Sequence, residues 1–218
     1  KGQVARRMHD ACLPFRSIGY LTRMAAVAGS VADEILCAMR HHANISKAYV
    51  NNGGDIALYI GPWTSFSTAI RGHNNQDLAR IDLKDHDEIR GIATSGRHGR
   101  SHSLGIADSV TVLAKSAASA DVAATLIANA VDLPDHPGIT RCAAHLLDEG
   151  TDLGECLVVT GCKPLNASEC TSALSAGNRR AADFERQDLS SAAAIFLQGY
   201  SEISQTHLFT ETKDPTYV

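Results

Sequence analysis

Asp121, Thr125 and Asn129 recur one turn apart on a stretch whose apolar residues Val122, Leu126, Ile127 and Val131 keep helical spacing. Three oxygen-bearing side chains thus form a stripe beside an apolar one. A carboxylate and a hydroxyl so placed suit a hard divalent cation such as Mg²⁺, which completes its shell with water or phosphate. The competing reading needs no ligand. With Ser119 as N-cap, Asp121 falls in the first helical turn, where the helix dipole alone favours a carboxylate.

A second group lies upstream. Thr94, Ser95 and Gly96 offer hydroxyls and free backbone N–H groups, with Arg97, His98, Arg100 and His102 around them. Backbone donors concave about a point, with arginines nearby, suit a phosphate; a solvated basic loop has the same composition. Gly53 and Gly54, followed by Asp55, interrupt an apolar run. They mark either a bulge or backbone brought close to a ligand, and in a plain hairpin Asn52-Gly53 would form the turn. The small residues from Met24 to Gly29 permit close approach to a ligand or to another element.

These groups need elements to hold them. Residues 1–20 carry loose helical spacing. Ser30 with Asp33 forms a capping-box-like start to a helix that buries Val31, Ile35, Leu36 and Met39. Residues 48–50 and 56–60 read as one interrupted strand, and 61–88 as a turn-rich segment with a hairpin around His73. Residues 92–94 end a strand, and 110–113 form the strand that leads into the Asp121 helix. A turn with Pro134 and Pro137 leads to a short helix over 140–147, followed by a buried strand over 157–160. Pro164 and Asn166 open a long helix with Cys170, Leu174, Gly177, Ala181 and Phe184 on one face. Residues 192–197 are a final strand covered on both sides, and the tail from Gln205 frays. Strands and helices mixed in this way give an α+β class, in one domain over 1–218.

The 218 residues provide ample chain for a core. A net charge of -4 and a pI near 6.2 argue against nucleic acid as a partner. A mean hydropathy of -0.10 and no apolar run of bilayer length argue against a membrane. The chain begins at Lys1, which suggests that the native N-terminus is missing. Six scattered cysteines without a CxxC pair read as reduced thiols of a cytoplasmic protein, and neither they nor the histidines show zinc spacing.

Four of these stretches, in their order along residues 20–131, resemble the ApbE-like superfamily, whose known enzymes are FAD:protein FMN transferases. They are AAVAGSVAD (25–33), VNNGGDI (50–56), GIATSG (91–96) with SH (101–102), and SVTVLAKSAASADVAAT (109–125). The chain is most similar to an uncharacterised branch of that superfamily, and residues 132–218 follow the branch rather than the transferases. The resemblance implies a T-fold-like arrangement of mixed sheets with packed helices. It implies Mg²⁺ held by Asp121, Thr125 and the main chain near Val27, and FAD or FMN as cofactor. Gly53, Gly54, Asp55, Thr94, Ser95, Gly96 and Arg97 would line the nucleotide cleft, with His102 and Asp121 in catalytic positions. Ala28 stands where the family has Lys, the loop after His102 is cut short, and Trp63 is the single tryptophan.

The function expected is Mg-dependent binding or transfer of a flavin nucleotide or another small phosphate-bearing ligand. The alternatives are a non-catalytic binding module, or a structural homo-oligomer with a vestigial cleft.

Overall fold

The structure, a computed structural model, describes residues 2–72 and 74–211. Helix α1 (Gln3–Cys12) and α2 (Val27–His42) precede the strands β1 (Lys47–Asn52), β2 (Asp55–Ile60), β3 (Ser65–Arg71), β4 (Asp77–Lys84), β5 (Gly91–Ser95) and β6 (Ser109–Ala114). Then come α3 (Ala117–Ala130), β7 (Ile139–Ala143), β8 (Leu157–Cys162), α4 (Ala167–Arg186), β9 (Ala192–Leu197), β10 (Tyr200–Ile203) and β11 (Phe209–Glu211). A six-stranded sheet runs β1-β2-β5-β6-β9-β10, a three-stranded one β11-β4-β3, and β7 pairs with β8. Every pairing is antiparallel. The class is α+β, as the sequence indicates.

Strand alternation builds two cores, one on each face of the large sheet. Ile92 and Leu113 point into the space between the two larger sheets, with Ile70, Ile81 and Phe209. Ala93, Val110 and Val112 point to the helices. There Phe15 meets Phe184 of α4 edge to face, with ring centroids 5.1 Å apart. The expected α4 face is buried throughout, and Asn166 and Glu169 close a capping box at its start. β9 is covered on both sides as expected, Ala194 facing one core and Ile195 the other.

α3 is the central helix. Nine of its fourteen residues are buried, because Ala at half of the positions lets β5, β6, α2 and α4 all approach it. Its N-cap is Ser116, whose Oγ accepts from Ser119 N at 3.1 Å. Ser119 is therefore not the cap, and Asp121 is the fifth helical residue, beyond the first turn.

Several other expectations change. β1 and β2 are a hairpin, not one bulged strand. Asn52 pairs with Asp55, so Gly53-Gly54 is the turn, with φ of 72° and 112° that glycine adopts without a Cβ penalty. Ser30 and Asp33 do not start α2. The helix begins at Val27, behind a turn capped by Thr22, and Ser30 is buried inside it. The buried face is Gly29, Ser30, Ala32 and Leu36, whereas Ile35 and Met39 are 46% and 40% exposed. A Cβ on Gly29 would stand 2.3 Å from Ala117 O, so small residues, not large ones, set the packing of α2 on α3.

Residues 139–143 form a strand where a helix was expected, and only 144–146 make a short helical turn. β8 pairs with β7 alone, leaving Leu157 exposed, so it is not a buried strand. β9 is not the last strand. The chain returns as β10 and β11, and Phe209 is buried against β4, so the segment from Gln205 does not fray before residue 211. The expected hairpin around 73–75 joins β3 to β4; His73 lies outside the described residues. All six cysteines are free. Among the described residues, no helix is long and apolar enough to cross a membrane.

Candidate functional site

A cleft of about 560 Å³ opens at the end of the six-stranded sheet, where the β1–β2 turn, the end of β5 and the N-terminal turns of α2 and α3 meet. Of the residues singled out in the sequence, Val27, Gly53, Asp55, Thr94, Ser95, Gly96, His102, Asp121 and Thr125 line it. Residues up to 98 positions apart in the chain are thereby gathered on one wall.

Asp121 projects from α3 towards the start of α2. Its Oδ2 accepts from Gly29 N at 3.0 Å, and the Ala28 N–H adds a second backbone donor. Burial, and then the neighbouring Asp55 charge, push the Asp121 carboxyl up to about 8. Asp55 is buried beside the turn, and its Oδ1 accepts from Thr94 N at 3.3 Å. Burial pushes it up to about 6, opposed by that N–H and by the Arg100 charge. Two carboxylates thus share a poorly solvated end of the cleft, each disfavouring charge on the other.

Arg100 is the cation that answers Asp55. Its guanidinium lies so close over Gly53 that a Cβ there would stand 1.7 Å from Nη2. Arg97 has another task. Its Nε and Nη2 donate to Asp108 Oδ1 at 2.9 and 2.6 Å, Gln198 N donates to Oδ2 at 2.5 Å, and Arg97 does not line the cleft. Gly54 faces a neighbouring pocket instead. Asn129 reaches the cleft, but its Oδ1 accepts from Leu104 N at 3.1 Å and so holds the loop that carries His102.

The donor set can be matched to a metal. Among the described residues no group of three or more His, Cys, Asp or Glu is placed to hold one. What the cleft offers is a carboxylate, the Thr125 hydroxyl and main chain at the start of α2, with Asp55 nearby. An all-oxygen set with few protein ligands fits Mg²⁺, which keeps waters or takes phosphate oxygens, and does not fit a structural zinc.

A family model described as "AbpE bacteria" matches residues 1–203. The chain belongs to this ApbE-like family. Curated relatives include the UPF0280 protein of Methanopyrus kandleri, 33% identical over 165 residues that cover 72% of this chain and 61% of that protein. The UPF0280 protein of Methanococcus vannielii is 40% identical over 126 residues, covering 55% and 49%. The chain thus spans about half to three fifths of the length of these relatives. Among solved structures, the ApbE protein of Thermotoga maritima superposes with a TM-score of 0.51 at 18% identity, over 84% of this chain and 50% of that one. That likeness carries the fold.

One wall of the ApbE-like cleft was not legible in the sequence. The loop after β7 folds across it and contributes Asp148, Gly150, Thr151, Asp152 and Leu153. Thr22 Oγ1 donates to Asp152 Oδ2, and Tyr20 OH donates to Asp152 O at 3.1 Å, which ties this loop to the α1–α2 connection. Only a run of acidic residues between 148 and 155 marks it in the sequence, and nothing there points to partners 130 positions away.

Proposed function

We propose that this ApbE-like protein binds a phosphate-bearing small molecule together with a divalent cation in the Asp121 cleft, with a flavin nucleotide as the first ligand to test. The observation that carries the reading is the pair of a buried Asp55 and a half-buried Asp121 lining the same cleft, with Arg100 over the adjacent turn. Charge of this kind is costly unless a cation joins it.

Asp121, Thr125 and the main chain near Val27 would hold Mg²⁺. When bound, such an ion neutralises phosphate oxygens and polarises phosphorus towards attack by a hydroxyl. The protein's own groups do the rest. The Gly29 N–H fixes the Asp121 carboxylate, and Asn52 Nδ2 fixes the Ala28 carbonyl at 3.1 Å. Arg100 and His102 face the anion, with Tyr20, Leu21 and Met24 as the apolar side against which a ring can lie.

A second reading, binding without turnover, is favoured by Ala28, which leaves no amine where the transferases have Lys. Thermal unfolding with FAD, FMN and pyrophosphate, each with and without Mg²⁺, tests the proposal. A stabilisation that needs both ligand and Mg²⁺ and is lost in Asp121→Ala supports it. No shift with any combination, or equal shifts in wild type and variant, overturns it. Release of FMN to a protein hydroxyl from bound FAD separates transferase from binding module.

A further inference from the structure

The six-stranded sheet ends at β1 on one side and at β10 on the other, and these two edges are built differently. β10 has four residues, with the charged Glu202 inside it. In the smaller sheets β11 has three residues, β3 shifts register between Ile70 and Arg71, and the β7–β8 pair shifts between Thr140 and Arg141. Shortness, charge and irregularity of this kind keep strand edges from pairing with other chains. β1 lacks them. Its six residues pair with β2 without a shift, and Lys47, at the first position, is its one charge.

The direction of its free backbone groups follows from the turn. Asn52 and Asp55 close a two-residue hairpin, so Asn52, Val50 and Ala48 bond to β2. Gly61 N, donating to Ser46 O at 3.0 Å, continues that alternation. The N–H and C=O groups of Lys47, Tyr49 and Asn51 therefore point to the open side, where no strand pairs with them among the described residues. Apolar side chains flank this row on both faces of the sheet. On one face Tyr49 is 57% exposed and meets Phe66 edge to face. On the other, Ala32 and Leu36 of α2 pack against Ala48 and Val50. Gly29 and Asp33 turn towards α3, which lies over β5. Ile35 and Met39 occupy the opposite side of α2, beside the β1 edge, and both are exposed.

We infer that β1 is a self-docking edge, through which two copies of this chain pair antiparallel about a two-fold axis at Tyr49. The occupant is a second copy because the row is complementary to itself. In this register Tyr49 pairs with its own counterpart and Lys47 with Asn51 of the second copy. Each outward N–H then meets an outward C=O, and no like charges face each other. The same pairing covers Tyr49 and brings the Ile35–Met39 stripes together across the joint. Asp121 takes no part, so the inference stands whether or not the cleft holds a nucleotide.

Sedimentation equilibrium over about 1–500 μM, with amide hydrogen exchange at both ends of that range, tests the inference. A small interface of this kind is expected to dissociate on the order of 10–100 μM. In the dimer the Lys47, Tyr49 and Asn51 amides should gain protection about tenfold or more, whereas Ala48 and Val50, already bonded to β2, change little. Tyr49→Pro removes an outward N–H and leaves the β2 ladder intact, so this variant should be monomeric at every concentration. Met39→Lys, at an exposed helix position, should weaken the dimer about tenfold and serves as the test if the proline variant does not fold. Unfolding midpoints verify folding. A wild type that stays monomeric throughout leaves the edge to a different chain and overturns the inference. So does a dimer without the alternating protection, or either folded variant dimerising as the wild type does.

Discussion

Asp33 and Asp121 cap each other's helices. Asp33 of α2 accepts from Ala117 N at 3.1 Å and Ala118 N at 3.0 Å at the start of α3, while Asp121 of α3 accepts from Gly29 N at the start of α2. Each carboxylate satisfies donors that a helix start leaves orphaned, and each sits near the positive end of the partner's dipole. The exchange locks the two helices in register and fixes Asp121 at the cleft.

Asp33→Ala is expected to destabilise the protein by about 1–2 kcal/mol, because two half-buried N–H groups lose their acceptor. Asp33→Asn retains one acceptor oxygen and should cost less. Denaturant midpoints order the series wild type, Asn, Ala; an unchanged midpoint in Asp33→Ala would refute the reciprocal cap.

The pH dependence follows from Asp121. Its folded pKa lies above the unfolded value, so the native state holds the proton more tightly. That contribution to stability is complete below about pH 4 and is lost as pH rises towards 8. The metal-free protein should therefore lose stability between these limits. Asp121→Asn should flatten the slope and be the more stable form at pH 8 by roughly 1–2 kcal/mol, since Asn still accepts from Gly29 N. Mg²⁺ should stabilise the wild type more at pH 8 than at pH 5. Chemical denaturation across this range, with and without Mg²⁺, is the check.

Arg97 and Arg100 separate structure from binding. Arg97→Ala strands Asp108, which keeps only His98 and a backbone donor, and should cost about 1–3 kcal/mol of stability. Ligand affinity in the folded fraction should hardly change. Arg100→Ala should leave the midpoint within about 0.5 kcal/mol and weaken pyrophosphate binding about tenfold or more. The reverse pattern would move the anion site to Arg97.

Gly29→Ala places a methyl group 2.3 Å from the Ala117 carbonyl oxygen, where only backbone can yield. A loss of about 2–4 kcal/mol is expected, with weakened Mg²⁺ binding because the Asp121 cap is pushed apart. Gly54→Ala has open space around its Cβ and pays only for its positive φ, so it should cost less. Equal midpoints for the two variants would contradict the close approach of α2 to α3.

What the sequence determined by itself is local. Helical spacing marked α3 and α4 and named the buried face of α4, because a period of 3.6 residues is a property of neighbours in the chain. Motif order placed Gly53, Asp55, Thr94, His102, Asp121 and Thr125 on one cleft before any strand was paired. What only the tertiary structure decided depends on residues far apart. Asp33 looked like part of its own helix's cap and instead serves α3, because an acceptor satisfies whichever N–H packing brings near. Arg97 looked like a phosphate ligand and is held by Asp108, 11 positions on. The acidic loop at 148–153 joined the cleft only because Tyr20 and Thr22 hold it there.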